Sequence, residues 1–325
     1  MHWKTWICGV LMVGVVEGAA WGAGFSWKDT PGKYLDLLYD GRRVTRYMYD
    51  YDESDEQRTF ETYKVFHHVF DERGEKLLTN GPDGEHAYSK SVTYPHHRGL
   101  FIGWNRLRRE GRSYDTWHMT QGVRQLHQRF LERTAGADQA TAAALIHWTT
   151  GQGTVLVEET RTTTVHRPRE ETVLLLDFKT QLKAVGGEVH LDGDPEHAGF
   201  QYRPHDAVAK GPAEDKAKYL FPREGMDPRE DKDLPWVAMS HGLDGKRYTV
   251  IYMNHPSNPK GAIYSAYRDY GRFGAFFTKT IEAGRTLTLH YRVLVMASAM
   301  PARGTVERLY GEYLKETDVE GGANR

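Results

Sequence analysis

Short aromatic, β-branched or alternating runs recur along the chain, and where apolar and polar positions alternate with a period of two they have the spacing of half-buried strands. The clearest run, Leu287-Thr288-Leu289-His290-Tyr291-Arg292-Val293-Leu294-Val295, predicts a strand over 286–296. In Val155–Val165 the threonines and charges predict one wet face, whereas Val173–Phe178 is nearly all apolar and predicts a strand buried more fully. Further strands are predicted at Tyr34–Tyr39, Arg43–Tyr49, Phe60–Phe70, Ala142–Trp148, Thr154–His166, Thr172–Leu182, Glu188–Leu191, Trp236–Ser240, Tyr248–Met253 and Phe273–Thr278, bounded by Gly, Asp or Pro. Asp71–Gly74 and Asn80–Gly84 read as turns. The glycine-punctuated Tyr94–Gly122 region predicts a strand followed by a long surface loop, and His205–Pro235 a polar lid or crossing loop. Helical spacing stands out only over Thr305–Lys315, where Leu309, Tyr310, Tyr313 and Leu314 share a face. The pattern predicts an all-β protein: one large antiparallel β-sandwich with a single C-terminal helix.

Composition narrows the function classes. Lys+Arg number 43 and Asp+Glu 44, so no broad basic surface marks a nucleic-acid or anionic-membrane partner. Residues 1–22 read as a cleaved signal peptide, with Lys4 before an apolar run from Trp6 to Val16 and small residues after it. The domains expected are therefore that leader and a single β-sandwich over 23–325, in a periplasmic or secreted protein. The only cysteine, Cys8, falls inside the leader. The mature chain then has no disulfide, no thiol nucleophile and no Cys-ligated zinc. The mean hydropathy of the full 325-residue chain is −0.66, and no membrane span is expected in its mature part.

Four stretches carry candidate chemistry. The first is His96-His97-Arg98-Gly99: imidazole serves as acid, base or ligand near neutral pH, and guanidinium grips oxyanions. Adjacent side chains of an extended strand face opposite ways, so both rings reach one pocket only if Pro95 and Gly99 make the backbone irregular. The second is Trp117-His118-Met119 with Gln121 and His127, an indole beside an imidazole as at sugar sites, or equally an aromatic core plug. In the third, Glu196 to Asp206, alternation puts Phe200 and Tyr202 on one face and Gln201 and Arg203 on the other, with His205 just beyond; a solvated Arg–Glu pair is the plainer reading. The fourth holds His255 and Asn258 between two prolines, followed by Tyr267. No tight metal-ligand spacing, G-x-S-x-G, Walker loop or dinucleotide fingerprint is present. Separated histidines can still converge, so a divalent metal stays open although the sequence requires no cofactor.

The runs Gly81–Gly84, His96–Asn105, Asp115–Met119, Trp148 with Glu159 and Arg161, Glu196–Arg203 and Asn254–Pro259 resemble a secreted bacterial family labelled PmoA-like. A genuine methane monooxygenase subunit needs several spans of ~20 apolar residues, which this chain lacks. The resemblance implies kinship with carbohydrate-handling β-sandwiches such as the mutarotase-like supersandwich. The resulting expectation is an exported carbohydrate-active enzyme of lyase, epimerase or hydrolase type. His96, His97, Arg98, His118, Arg203 and His255 would be catalytic. Trp117, Gln121, Glu196, His205, Asn258 and Tyr267 would bind a carbohydrate or other small molecule. The alternatives are a non-catalytic glycan-binding protein and a His-ligated, metal-dependent oxidoreductase.

Overall fold

Every strand pairs antiparallel with its neighbours, and the pairs join into two eight-stranded sheets and one four-stranded sheet. The computed structural model describes residues 24–322, apart from residues 90 and 170, so the leader and Cys8 lie outside it. The first sheet runs Phe25–Thr30, Tyr34–Tyr39, Arg42–Met48, Phe66–Val69, Leu100–Trp104, Ala198–Tyr202, Phe273–Phe276, Ile263–Tyr264. The second runs Lys218–Leu220, Trp236–Leu243, Lys246–Asn254, Thr286–Met296, Thr172–Ala184, Val155–His166, Gln139–Thr149, Arg124–Ala135. A small sheet of Lys279–Ile281, Val189–Asp192, Arg106–Arg109 and Arg112–Tyr114 completes the fold.

The period of two decides which residues fill the space between the large sheets. Leu174, Leu176, Phe178 and Leu182 point inward from the second sheet, and Leu100, Ile102, Trp104, Phe200 and Tyr202 from the first. Phe178 stacks on Phe200 with ring centroids 4.0 Å apart, and Phe200 also meets Tyr291 at 5.1 Å. Burying each such side chain stabilises the fold by about 1.5–3 kcal/mol. The second sheet is covered on its outer side as well: Val306 and Tyr313 of the helix Arg303–Gly322 pack on Trp236, Ile251, Met253 and Leu294. Leu175 packs against this second cluster, which is why its strand reads as apolar almost throughout.

Three expectations are corrected. Phe60–Phe70 is not one strand: Glu56–Thr62 is helical, capped by Asp55, whose side chain accepts from Arg58 N at 2.8 Å, and the strand starts at Phe66. Helix propensity and a good cap outweigh the aromatic signal of Phe60. The wet face of Val155–His166 carries Glu158, Thr160 and Thr162, whereas Glu159 and Arg161 point into the core. There the Glu159 carboxylate accepts from Arg161 at 2.8 and 3.0 Å, from Trp148 Nε1 at 2.8 Å and from Thr180 Oγ1 at 3.0 Å, which satisfies its buried charge. The Tyr94–Gly122 and His205–Pro235 stretches also hold more regular structure than expected. The first contains the hairpin Arg106–Tyr114, and the second contributes helix Asp206–Lys210 and edge strand Lys218–Leu220. No described helix is long and apolar enough to cross a membrane.

Candidate functional site

The two middle strands of the first sheet, Leu100–Trp104 and Ala198–Tyr202, pair directly, with Gly103 opposite Gly199. Their inward positions are core; their outward positions are Phe101, Gly103, Gly199 and Gln201, with Arg203 just past the strand. Two glycines leave room on this outer face for other chain to lie against it. A Cβ on Gly103 would sit 2.2 Å from the carbonyl oxygen of Thr116, so only glycine lets the 115–118 turn rest on the strand. A Cβ on Gly99 would come within 2.0 Å of His67 O, which explains the glycine that ends His96-His97-Arg98-Gly99.

Three loops bring histidines together on this face. The ring centroids of His96 and His118 are 4.9 Å apart, those of His118 and His197 4.9 Å, and those of His96 and His197 6.4 Å. One ring nitrogen from each lies within 4.8 Å of the others, so the three could share one ligand or metal ion. All three rings are half-buried and reachable from solvent.

Two of the rings are held by the same local device, Asp-x-x-His. In Asp115-Thr116-Trp117-His118, Asp115 Oδ1 accepts from the backbone N–H of Trp117 (2.9 Å) and His118 (2.7 Å), while Oδ2 accepts from His118 Nδ1 at 2.9 Å. In Asp194-Pro195-Glu196-His197, Asp194 Oδ1 accepts from Glu196 N at 3.0 Å and from His197 Nδ1 at 2.9 Å. An ionised carboxylate only accepts, so Nδ1 carries the hydrogen and Nε2 presents a lone pair. Burial works against both aspartate charges. In Asp115 the hydrogen bonds from His118 outweigh it, and in Asp194 the nearby His197 and the Asn105 bond do, so both carboxyls stay below their usual range. Burial first, and then the neighbouring basic groups of Lys64, His118 and Arg203, push the His96 imidazole down to about 2, so it is neutral at any physiological pH. The His197 imidazole is also lowered, by burial first.

Cations stand behind the rings. Arg203 is fully buried with its Cζ 4.8 Å from the Trp117 ring centre. Its Nη2 donates to Glu196 O at 3.2 Å, while among the described residues its Nε and Nη1 have no hydrogen-bond partner, nor does Trp117 Nε1. Arg272 Nη1 also donates to Glu196 O. The Glu196 carboxylate accepts from Tyr267 Oη at 2.7 Å and from Arg268 at 2.6 and 3.0 Å, and pairs with Arg272 at 2.7 Å. Buried Lys64 donates to Trp117 O at 2.5 Å, and burial beside Arg98 and Arg203 drives its ammonium well below the usual range. Tyr94 forms the rim, stacked on His97 at 4.7 Å and 4.6 Å from Tyr270.

The expected site residues divide. His96, His97, His118, Trp117, Glu196, Arg203 and Tyr267 come together. The turn that joins His97 N to Tyr94 O (2.9 Å) breaks the strand alternation, so the His96 and His97 rings meet edge-on at 4.7 Å. Trp117, fully buried between Phe101 and Arg203, supports the site from below and offers no face to a sugar. Arg98 turns away: it donates to the carbonyls of Pro95 (2.5 Å), His97 (3.0 Å) and Phe60 (2.9 Å), tying the loop down. His255 lies elsewhere, its Nδ1 2.7 Å from Ser257 Oγ and its Nε2 3.2 Å from Thr317 Oγ1 of the C-terminal helix. Asn258 braces the same distant loop through Asn254 and His290. His205 caps helix Asp206–Lys210, and Gln121 is an exposed turn residue with φ 55°. His127 packs between Tyr49 and Phe130, outside the cluster.

Sequence reasoning missed His197, Asp115, Asp194, Lys64 and Arg272 as site residues. The repeated Asp-x-x-His spacing was a readable signal for the first three. It is not sufficient alone, because Asp83-Gly84-Glu85-His86 builds the same turn on the surface, with His86 Nδ1 2.7 Å from Asp83 Oδ2.

Fold and site together define an antiparallel β-sandwich protein with a cluster of three histidines on one outer sheet face. The chain belongs to a family of unknown function, DUF6807, whose profile matches residues 34–310. No protein with a curated description matches it. Among solved structures it is similar to a heparan sulfate lyase HepC mutant from Pedobacter heparinus, at 8% identity and a TM-score of 0.42. That similarity covers 85% of this chain and 37% of the lyase, so the chain spans little more than a third of that protein.

Proposed function

We propose that the protein is an exported enzyme that acts on a carbohydrate, with its chemistry at His96, His118 and His197. The observation that carries this reading is the convergence of three solvent-reachable rings from separate loops, two with tautomers set by aspartates, in front of a buried, incompletely bonded arginine. Such groups are costly to assemble for stability alone, since Arg203 leaves two donors unmatched.

The division of labour follows from the geometry. Nε2 of His118 or His197, with its lone pair facing the pocket, accepts a proton from a substrate carbon, hydroxyl or water. Asp115 or Asp194 then stabilises the imidazolium that forms. Negative charge that develops on a substrate oxygen is stabilised at a distance by the positive field of Arg203 and Arg272, both buried behind the rings. The neutral His96 completes the donor set. Tyr94 and Tyr270 offer the half-exposed aromatic rim that suits the C–H face of a sugar ring, the role the buried Trp117 cannot fill. The resemblance to PmoA-like proteins and, through them, to carbohydrate-handling β-sandwiches supports the substrate class.

The test is turnover of a panel of neutral and acidic oligosaccharides by wild type, His118→Ala and His197→Ala. The expected result is conversion by wild type and a loss of at least ~10²-fold in either variant. Retention of a glycan without conversion would instead identify a binding protein, and unchanged turnover in both variants would remove the histidines from the chemistry.

A further inference from the structure

We infer that His96, His118 and His197 are the three protein ligands of one divalent transition metal of the zinc type, whose remaining coordination position opens to solvent. Two independent features point there. The first is ligand geometry. The donor nitrogens lie within 4.8 Å of one another. Zinc–nitrogen bonds of about 2.0–2.1 Å in a tetrahedral site place nitrogens roughly 3.4 Å apart. Inward movement of about an ångström by half-buried rings on loops closes that difference.

The second feature is the shell behind the rings. A metal-bound histidine usually donates its other N–H to a carboxylate or carbonyl, which fixes the tautomer and strengthens the ligand. His118 and His197 both do this, to Asp115 at 2.9 Å and Asp194 at 2.9 Å. Asp194 is itself oriented by Asn105, whose Nδ2 donates to Oδ2 at 2.6 Å. His96 has no protein hydrogen bond among the described residues, which leaves a nitrogen available without breaking a contact. Asp115 and Asp194 place a carboxylate directly behind two of the rings, and Glu196 faces Arg268 and Arg272, so negative charge stands nearest to where a dication would sit. Imidazole-only ligation selects zinc, copper, iron, cobalt or nickel over magnesium or calcium. The surface group Asp83, Glu85 and His86 also gathers donors, but Glu85 is engaged by Arg46 at 2.8 Å and Asp83 by two backbone N–H groups, so it serves as an internal control.

This inference rests on the proposed reading of the same site and changes one role in it: with the Nε2 lone pairs of His118 and His197 held by the metal, a metal-bound water would take the proton in their place, and metal binding itself is measured without any substrate. The experiment is zinc and cobalt titration of the full chain after chelator treatment, read by calorimetry, elemental analysis and the visible absorption of bound cobalt. One equivalent per chain is expected, with intense cobalt bands of a low-symmetry, four-coordinate nitrogen site and a zinc-dependent rise in Tm. His118→Ala and His197→Ala should abolish that equivalent, and Asp115→Asn and Asp194→Asn should weaken it roughly 10- to 100-fold. His86→Ala should bind as wild type does. Should the alanine variants misfold, the two asparagine variants with native circular dichroism still decide the matter. Absence of stoichiometric metal, or equal binding by wild type and all cluster variants, overturns the assignment. Metal binding without sugar turnover would keep it and remove the carbohydrate reading; metal-free turnover unaffected by chelators would do the reverse.

Discussion

Replacing Asp115 by Asn isolates the one feature that makes His118 a base or ligand, because it changes charge and leaves shape. The asparagine Oδ1 can still accept from the Trp117 and His118 backbone N–H groups at 2.9 and 2.7 Å, so the turn persists. Its amide NH₂ then faces His118 Nδ1, where the wild type has an acceptor 2.9 Å away. A donor facing Nδ1 favours hydrogen on Nε2, turning the lone pair away from the pocket. A hydrogen bond to an ionised group contributes about 1.5–3 kcal/mol against about 0.5–1.5 for a neutral one. The competent tautomer therefore loses at least about 1–2 kcal/mol, a fall of roughly 5- to 30-fold in its population. The expected signature is a kcat reduced by at least that factor with KM nearly unchanged, and a stability loss of about 1–2 kcal/mol. Nitrogen-15 NMR of the imidazole reads the tautomer directly, with or without a substrate. An Nδ1–H tautomer that survives in Asp115→Asn, or full activity in that variant, would refute the argument.

Two further outcomes test the fold. The buried His68 ring is bonded to Thr79 Oγ1 and Pro82 O at 3.0 Å each, and burial lowers its pKa from 6.5 to about 4. A depressed histidine leaves stability constant above about pH 6.5 and removes it as pH falls toward 4, because the unfolded chain takes the proton first. The loss is about 3 kcal/mol at its limit, so the stability gap between wild type and His68→Gln in denaturant titrations should shift by that amount from pH 7 to 4, and an unchanged gap contradicts the burial effect. Phe200→Ala removes the ring that stacks on Phe178 at 4.0 Å and touches Tyr291, and should cost about 3–5 kcal/mol; a drop below about 1 kcal/mol would mean the sheets are not joined there.

How much of this was legible in the chain varies with the range of the interaction. An aromatic-rich run bounded by Gly and Asp located Tyr34–Tyr39, and alternation located Thr286–Met296, because strand propensity and the two faces of a strand are local properties that residue order records. The same rule set Phe200 and Tyr202 against Gln201 and Arg203, and the structure buries the first pair in the core and keeps the second under the site. It failed at Phe60, where a cap at Asp55 started a helix, and at Glu159 and Arg161, whose charges are satisfied by each other inside the sandwich. Residue types in the His96 and His118 stretches marked them as chemical, and the Asp-x-x-His turns were locally encoded.

Only the tertiary structure decided which of those histidines meet. His96, His118 and His197 are brought together because strands Leu100–Trp104 and Ala198–Tyr202 pair across nearly a hundred residues, with glycines at 103 and 199 opening space above them. His255 carries the same imidazole but follows a strand of the second sheet, and so lies against the C-terminal helix instead. Sequence determines what each loop can offer; strand pairing, a sum of many weak and distant contacts, determines which loops share a pocket.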